Sequence, residues 1–291
     1  MSSFYDLNKK KSVISFHGND AEGFLQGQMT CDVADIKNNE GKLGALCNPK
    51  GRVVCLFHLL KQADAYFMIV NSALSTQIIK RLQMYKFRSD VHINDVSEQY
   101  TILGSISSSI QNTNNTNVSL TTIMYAAHTN LTLTVIENEQ LKLAIDNDTF
   151  FITHDTTEWE QAMTTDCLPE ITPATSELFI PQMLNLDVLD GISFQKGCYT
   201  GQEVIARLHY KGTVKRRLFS FESNVLIPPG VDIFSSDDKN SIGTIVSCTE
   251  VSNSCYSGTV IIKNIFSNQS TINCDEFGKV SIKPPPYLLN S

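Results

Sequence analysis

The run Gly191–Arg217, GISFQKGCYTGQEVIARLHYKGTVKRR, constrains this 291-residue chain more than any other segment. Within it, Lys196-Gly197-Cys198-Tyr199-Thr200-Gly201-Gln202-Glu203 sets a thiol and an aromatic ring between two glycines. Glycine admits left-handed backbone angles and lets another group approach closely, so the segment predicts a tight presenting loop. Val204, Ile205 and Leu208 then share one face at helical spacing, which starts a helix just after Gly201. A thiol between the Lys196 ammonium and a helix N-terminus is favoured as thiolate. The other reading of Cys198 is the ordinary one for a free cysteine, a small buried hydrophobe.

Composition narrows the class. Hydrophobic residues make up 42% and charged residues 18%, as in a soluble globular protein, and the length suits two or three domains. The formal charge is −7, from 23 basic and 30 acidic residues, which disfavours a surface built for phosphate backbones. Two local basic clusters stand against it: Lys9-Lys10-Lys11, and Lys211, Lys215, Arg216 and Arg217. No stretch reaches the roughly 18 apolar residues of a membrane span, so a cytoplasmic protein without a membrane partner is expected. In that compartment the eight cysteines are expected to be reduced. None forms a Cys-x-x-Cys pair, and the six histidines lack metal-ligand spacing, so no stably bound metal is expected.

Periodicity predicts mixed α and β structure as far as about residue 210, then short strands only. Asn19-x-x-Glu22 resembles a capping box, with a helix through Ala21, Phe24 and Leu25 that ends at Gln26-Gly27-Gln28. Strands are expected at 13–16, 53–60, 65–70, 91–95, 100–106, 131–136, 141–145 and 149–153. Helices are expected after Asn71 or Ser72, and from Asp155-x-x-Glu158 with Trp159, Ala162 and Met163 inward. The tract Gln111–Ser119 reads as a mobile polar loop. Beyond Gly212, strands are expected at 214–223, 231–236, 241–249, 256–263 and 277–283, with a turn at Asn268-Gln269-Ser270.

The signature Lys196–Glu203, followed by Arg207, resembles that of the YgfZ family, folate-binding relatives of the glycine cleavage T-protein. The likeness extends to Asp20–Asp32, to Cys47-Asn48-Pro49-Lys50-Gly51-Arg52, and to Ile171–Glu177 and Phe179–Asp187. It implies an α+β fold of three lobes around a central folate-binding channel, closed by a C-terminal β-barrel. The implied division is a discontinuous first lobe (1–41 and 155–210), an inserted lobe (42–154) and the barrel (211–291).

The resemblance also implies a function: binding tetrahydrofolate or a derivative, and assisting iron–sulfur cluster assembly or repair in transiently bound client enzymes. Support of tRNA methylthiolation would then be indirect; the charge disfavours direct tRNA binding. Two alternatives stay open, a folate-dependent aminomethyl- or methyltransferase and a non-catalytic folate sensor or adaptor. T-proteins carry two acidic residues where this chain has Cys55 and Leu56. Neither supplies a carboxylate, which speaks against aminomethyl transfer.

By the same resemblance Cys198 is the candidate functional thiol. Asn71, Lys196, Gly197, Tyr199, Gly201, Gln202, Glu203 and Arg207 are the candidate folate contacts. Asn71 has a local alternative as a helix N-cap. Lys196 would activate Cys198 or meet the glutamate tail of a folate, and Tyr199 would offer a stacking face. Glu203 and Arg207 have the alternative of a dipole-satisfying i,i+4 pair.

Overall fold

The computed structural model describes residues 3–106, 121–146, 151–234, 241–252, 254–266, 270–274 and 276–289. The expected loop Gln111–Ser119 and most of the expected 268–270 turn lie outside these residues. The first half contains β1 (Ser3–Asp6), β2 (Lys11–His17), α1 (Ala21–Gln26), β3 (Gly41–Cys47), β4 (Val53–Gln62), β5 (Ala65–Asn71), α2 (Ser75–Lys86) and β6 (His92–Asp95). Next come β7 (Tyr100–Ile106), β8 (Thr121–Met124), β9 (Leu131–Glu137), α3 (Asn138–Asp146), β10 (Phe151–Thr153), α4 (Thr157–Thr165) and α5 (Gln202–Lys211). The last strands are β11 (Arg216–Ser223), β12 (Asp232–Phe234), β13 (Ser241–Ser252), β14 (Cys255–Lys263), β15 (Thr271–Cys274) and β16 (Gly278–Lys283).

These strands form three sheets, ordered β10-β1-β7-β9-β8, β3-β4-β5-β2-β6 and β12-β13-β14-β11-β16-β15. The expected division after residue 41 does not follow them. β2 lies between β5 and β6, and β1 lies between β7 and β10, so segments on both sides of that division share both N-terminal sheets. The hydrogen-bond partners of β1 and β2 come from 65–153, a long-range pairing that no local pattern encodes. The two N-terminal sheets also share one hydrophobic core.

Strands β11, β13 and β14 hold runs of consecutive buried residues because both of their faces are covered. Along β11, Leu218 joins the N-terminal core while Phe219 and Phe221 fill a second core inside the sheet. The same split places Val246 and Ile261 outward, and Ile245, Val260 and Ile262 inward.

The segment Gln182–Asp187 is the mount for this sheet. Asn185, in the left-handed region at φ 58°, donates from Nδ2 to the Leu218 carbonyl at 3.0 Å. The buried Arg217 guanidinium donates to both oxygens of Asp187 at 2.6 and 2.9 Å, and to the Gln182 carbonyl at 2.9 Å. Arg217 therefore leaves the basic surface cluster that the sequence suggested.

Two local expectations change. Residues 141–145 belong to α3, because Glu139, Gln140, Leu141 and Lys142 are good helix formers and outweigh a brief alternation. The Asn19/Glu22 capping box does not form: the cap is Asp20, without a side-chain bond. The Glu22 carboxylate instead accepts from Tyr66 Oη at 2.6 Å and from Lys61 at 3.0 Å.

Asp187→Ala removes the bidentate partner of a buried guanidinium. It should lower folding stability by about 3–5 kcal/mol, read as a lower midpoint in urea denaturation.

Candidate functional site

The register of the second sheet places polar side chains at the mouth of a partly apolar hollow. β2 and β5 pair so that Lys11 lies opposite Asn71. The Asn71 Oδ1 accepts from Ala73 N at 3.1 Å and caps a short turn, while its Nδ2 donates to Glu170 Oε1 at 2.9 Å. Lys11 Nζ donates to the same oxygen at 2.9 Å. Thus Asn71 is a cap and a site residue at once.

Around this cluster lies a cavity of about 420 Å³. Its apolar wall includes Trp159 and Met163 of α4 and Leu168. Lys9, Lys10, Glu160 and Thr172 add polar groups, and Pro229 and Ser247–Thr249 line it from the C-terminal sheet. The expected inward face of the helix at 157–165 therefore holds, with Trp159 and Met163 buried.

Electrostatics fix the charge state of the cluster. Burial alone would raise the Glu170 carboxyl, but the Lys11 charge and the bonds from Lys11 and Asn71 hold it below its ordinary range. Lys11 mirrors this: burial opposes its charge, and the Glu170 carboxylate outweighs burial and raises its pKa. Behind them the Tyr125 phenol is pushed up to about 12 by burial, so it stays neutral beside Lys11. His58 Nε2 donates to the Tyr125 carbonyl at 2.6 Å, with the two rings 4.3 Å apart.

The signature loop lies elsewhere: none of residues 196–203 lines this cavity. Lys196 is buried, and its Nζ donates to the carbonyls of Gln26, Met29 and Cys31 at 2.8, 2.9 and 2.8 Å. Burial pushes its pKa down to about 8, opposed by nearby Cys31 and Asp32. Three carbonyl acceptors suit the three donors of the ammonium form, which holds the charge at neutral pH. Lys196 is thus a clamp for the loop, and no hydrogen bond joins it to Cys198.

Tyr199 is buried with its ring over the Lys196 ammonium, 5.2 Å from the centroid, so the expected free stacking face is covered. Gly201 has φ 85°, and a Cβ there would meet the Asn48 carbonyl at 2.5 Å. That close approach joins the loop to the Asn48–Gly51 turn, two segments that the family resemblance singled out separately. Gly197 is different: a Cβ there would meet nothing within 4 Å, so packing does not require glycine. Gln202 Oε1 accepts from Tyr199 N at 3.2 Å and tightens the loop.

Glu203 and Arg207 are both exposed on α5, and no ion pair joins them. Cys198 is free and exposed, while the other seven cysteines are buried or half-buried. Cys55 is a core thiol on β4, pushed up to about 12 by burial, and neither it nor Leu56 lines the cavity. Among the described residues no group of three His, Cys, Asp or Glu could hold a metal ion. No helix among them is long and apolar enough to cross a membrane.

Sequence reasoning missed Lys11, Trp159 and Glu170 as site residues. The signal available for Glu170 is its position between Pro169 and Pro173, which break the chain into a loop before the signature.

Comparison with known proteins agrees with this architecture. The GCVT N-terminal domain family matches residues 5–138. The tRNA-modifying protein YgfZ of Colwellia psychrerythraea is 33% identical over 239 residues, which span 78% of this chain and 72% of that protein. Its counterpart in Blochmanniella pennsylvanica is 30% identical over 231 residues, 72% of this chain and 68% of that protein. The crystal structure of the glycine cleavage aminomethyltransferase T of Bartonella henselae superposes with a TM-score of 0.74 over 99% of this chain and 86% of that one. At 12% identity this likeness defines the fold: a T-protein-like α+β arrangement with a nearly closed, barrel-like C-terminal sheet.

The buried neutral His58 makes stability pH-dependent. Burial lowers its pKa from 6.5 to about 4, so between these values protons favour the unfolded chain. Stability should be full above about pH 6.5 and fall by on the order of 3 kcal/mol as the pH drops to about 4. His58→Gln keeps a donor for the Tyr125 carbonyl without titrating, and should flatten that slope in urea melts across pH.

Proposed function

Since the chain belongs to the YgfZ family of tRNA-modifying proteins, we propose that it binds a reduced folate in the Asn71–Glu170 cavity and assists iron–sulfur enzymes through Cys198. The observation that carries the reading is the Glu170 carboxylate, held charged inside a partly apolar cavity of ligand size. A pterin presents an amino group and a ring N–H, and the free carboxylate oxygen can accept from such a donor. Trp159, Met163 and Leu168 supply apolar surface for the ring systems, and the lysines supply partners for tail carboxylates. The donor set therefore fits a folate. When bound, a reduced folate supplies one-carbon-carrier chemistry.

The residues of this chain bind and orient. Lys11 and Asn71 share one oxygen of Glu170, which leaves Oε2 without a protein partner among the described residues. Aminomethyl transfer is the weaker reading, since Cys55 and Leu56 bring no carboxylate to the cavity.

Cys198 acts apart from the cavity, as an exposed thiol on a clamped loop. Its role in this reading is transient contact with iron or sulfur carried by a client, with tRNA methylthiolation supported indirectly.

Calorimetric titration with tetrahydrofolate tests the first half. Glu170→Gln should weaken binding at least about tenfold, the loss of a charge-assisted contact. Absence of both heat change and thermal shift for the unmodified chain at millimolar ligand would refute folate binding.

Cys198→Ser tests the second half. The fold and folate affinity should persist, because the side chain is exposed and the change is small. Methylthiolated tRNA should fall in cells that depend on the variant. Full complementation would make Cys198 dispensable and favour a folate sensor.

A further inference from the structure

A second pocket, of about 430 Å³, lies against the signature segment and shares no lining residue with the Asn71–Glu170 cavity. Part of its lining precedes the thiol loop, around Phe194 and Gln195, and part is His209 and Tyr210 at the end of α5. The lining is held in place without a ligand. Ser193 N donates to the Thr30 carbonyl at 2.9 Å, and the buried Thr30 Oγ1 donates to the Gly191 carbonyl at 2.6 Å. The Phe194 and His209 rings stack with centroids 3.6 Å apart and planes 9° from parallel. Tyr210 meets His209 edge-on at 4.8 Å and donates from Oη to the Phe194 carbonyl at 3.3 Å. Tyr210 is nonetheless 67% exposed, so much of its ring is open to a ligand.

The charge of this pocket has one sign. Asp32, Asp35 and Asp190 face Lys42, so three carboxylates against one ammonium leave −2 with His209 neutral. Their oxygens are only partly engaged. Asp32 Oδ1 accepts from Gln26 Nε2 at 2.8 Å, while Asp35 Oδ2 stands 3.7 Å from Lys42 Nζ. Asp190 has no hydrogen-bond or ion-pair partner among the described residues. These acids do not form a metal cage among those residues. Aromatic rings beside spread carboxylates suit an organic cation instead.

We propose that this pocket receives an arginine side chain of a partner polypeptide and thereby seats the partner beside Cys198. A guanidinium is planar, lies on aromatic faces and donates in a fork to carboxylates. Here Tyr210 offers the face, and Asp35 and Asp190 offer the oxygens. A lysine ammonium keeps the charge but loses the stacking and the fork. The lining repels anionic ligands, nucleic acid included. Gln195 lines the pocket and Cys198 follows three residues later, so the chain holds the two within about 11 Å, Cα to Cα. The inference rests on the Cys198 half of the reading above and gives the exposed thiol a way to select its partner.

The test uses peptides of three glycines followed by arginine, lysine or a fourth glycine; the three-glycine spacer reaches about 11 Å when extended. N-acetyl forms are first titrated into the isotope-labelled full chain. The arginine peptide should shift the amide signals of Phe194, Gln195, His209 and Tyr210, and bind at least about threefold more tightly than the lysine peptide. The Asp35→Asn/Asp190→Asn double variant should weaken it about tenfold, the loss of two exposed charge pairs. That variant should melt at the unmodified temperature, because both side chains are exposed and Asn accepts the left-handed backbone at 190, φ 59°. N-chloroacetyl forms then test the placement: the Cys198 thiolate displaces chloride and forms a thioether. The arginine peptide should label Cys198 at least about threefold faster than the all-glycine peptide, through its higher effective concentration, and lose that advantage in the double variant. Equal binding of arginine and lysine peptides, or undiminished affinity in the double variant, overturns the arginine pocket. Binding without faster labelling overturns its placement beside the thiol. Both failures leave the Cys198 complementation result untouched, whereas full complementation by Cys198→Ser removes the client reading and leaves the measured pocket standing.

Discussion

The pair between Lys11 and Glu170 is the interaction around which the cavity is organised. A carboxylate and an ammonium taken from water each lose several kcal/mol of hydration, and only close geometry with further hydrogen bonds repays it. Here the β2–β5 register places Lys11 opposite Asn71, and both donate to one oxygen of Glu170. A hydrophobic pair of similar volume would stabilise the fold as well or better. What the ionic arrangement supplies is a fixed negative charge in an apolar hollow, with one oxygen left for something other than protein.

Much of the architecture was legible because periodicity follows burial. The strands of 53–71 and 100–106, and the helix carrying Trp159 and Met163, fall where the pattern puts them. β1, β8 and β15, of four residues each, were not among the expected strands. The pairing of β1 and β2 with strands from 65–153 was invisible for another reason: register depends on partners far along the chain. The boundary expected after residue 41 failed there.

The site was legible in part, and the physical grounds differ residue by residue. The loop Lys196–Glu203 announces itself through glycines and a thiol, but its chemistry was misread at two positions. Lys196 serves backbone carbonyls, and Tyr199 covers Lys196. A sequence shows that a lysine is present, not which acceptors surround it. Glu170 lies in a loop and Lys11 in an apolar strand, where a charge looks incidental until the other residue is placed beside it.

The cavity and the exposed thiol share a scaffold rather than a surface. The C-terminal sheet reaches the cavity through Ser247–Thr249 of β13, and its strand β11 is fixed to Gln182–Asp187 by Asn185 and Arg217. Beyond that mount, residues 188–195 lead to the signature loop, which Lys196 holds to the carbonyls of Gln26, Met29 and Cys31 and the Gly51–Gly201 contact holds to the Asn48–Gly51 turn. A ligand seated against Thr249 would touch a sheet whose first strand is tied to Gln182–Asp187. The C-terminal sheet has packed cores on both faces, and close-packed cores resist gradual deformation. The anchors of the thiol loop, Gln26, Met29, Cys31 and the Gly51–Gly201 contact, line no part of the cavity, so the two sites stand on one scaffold without a residue in common.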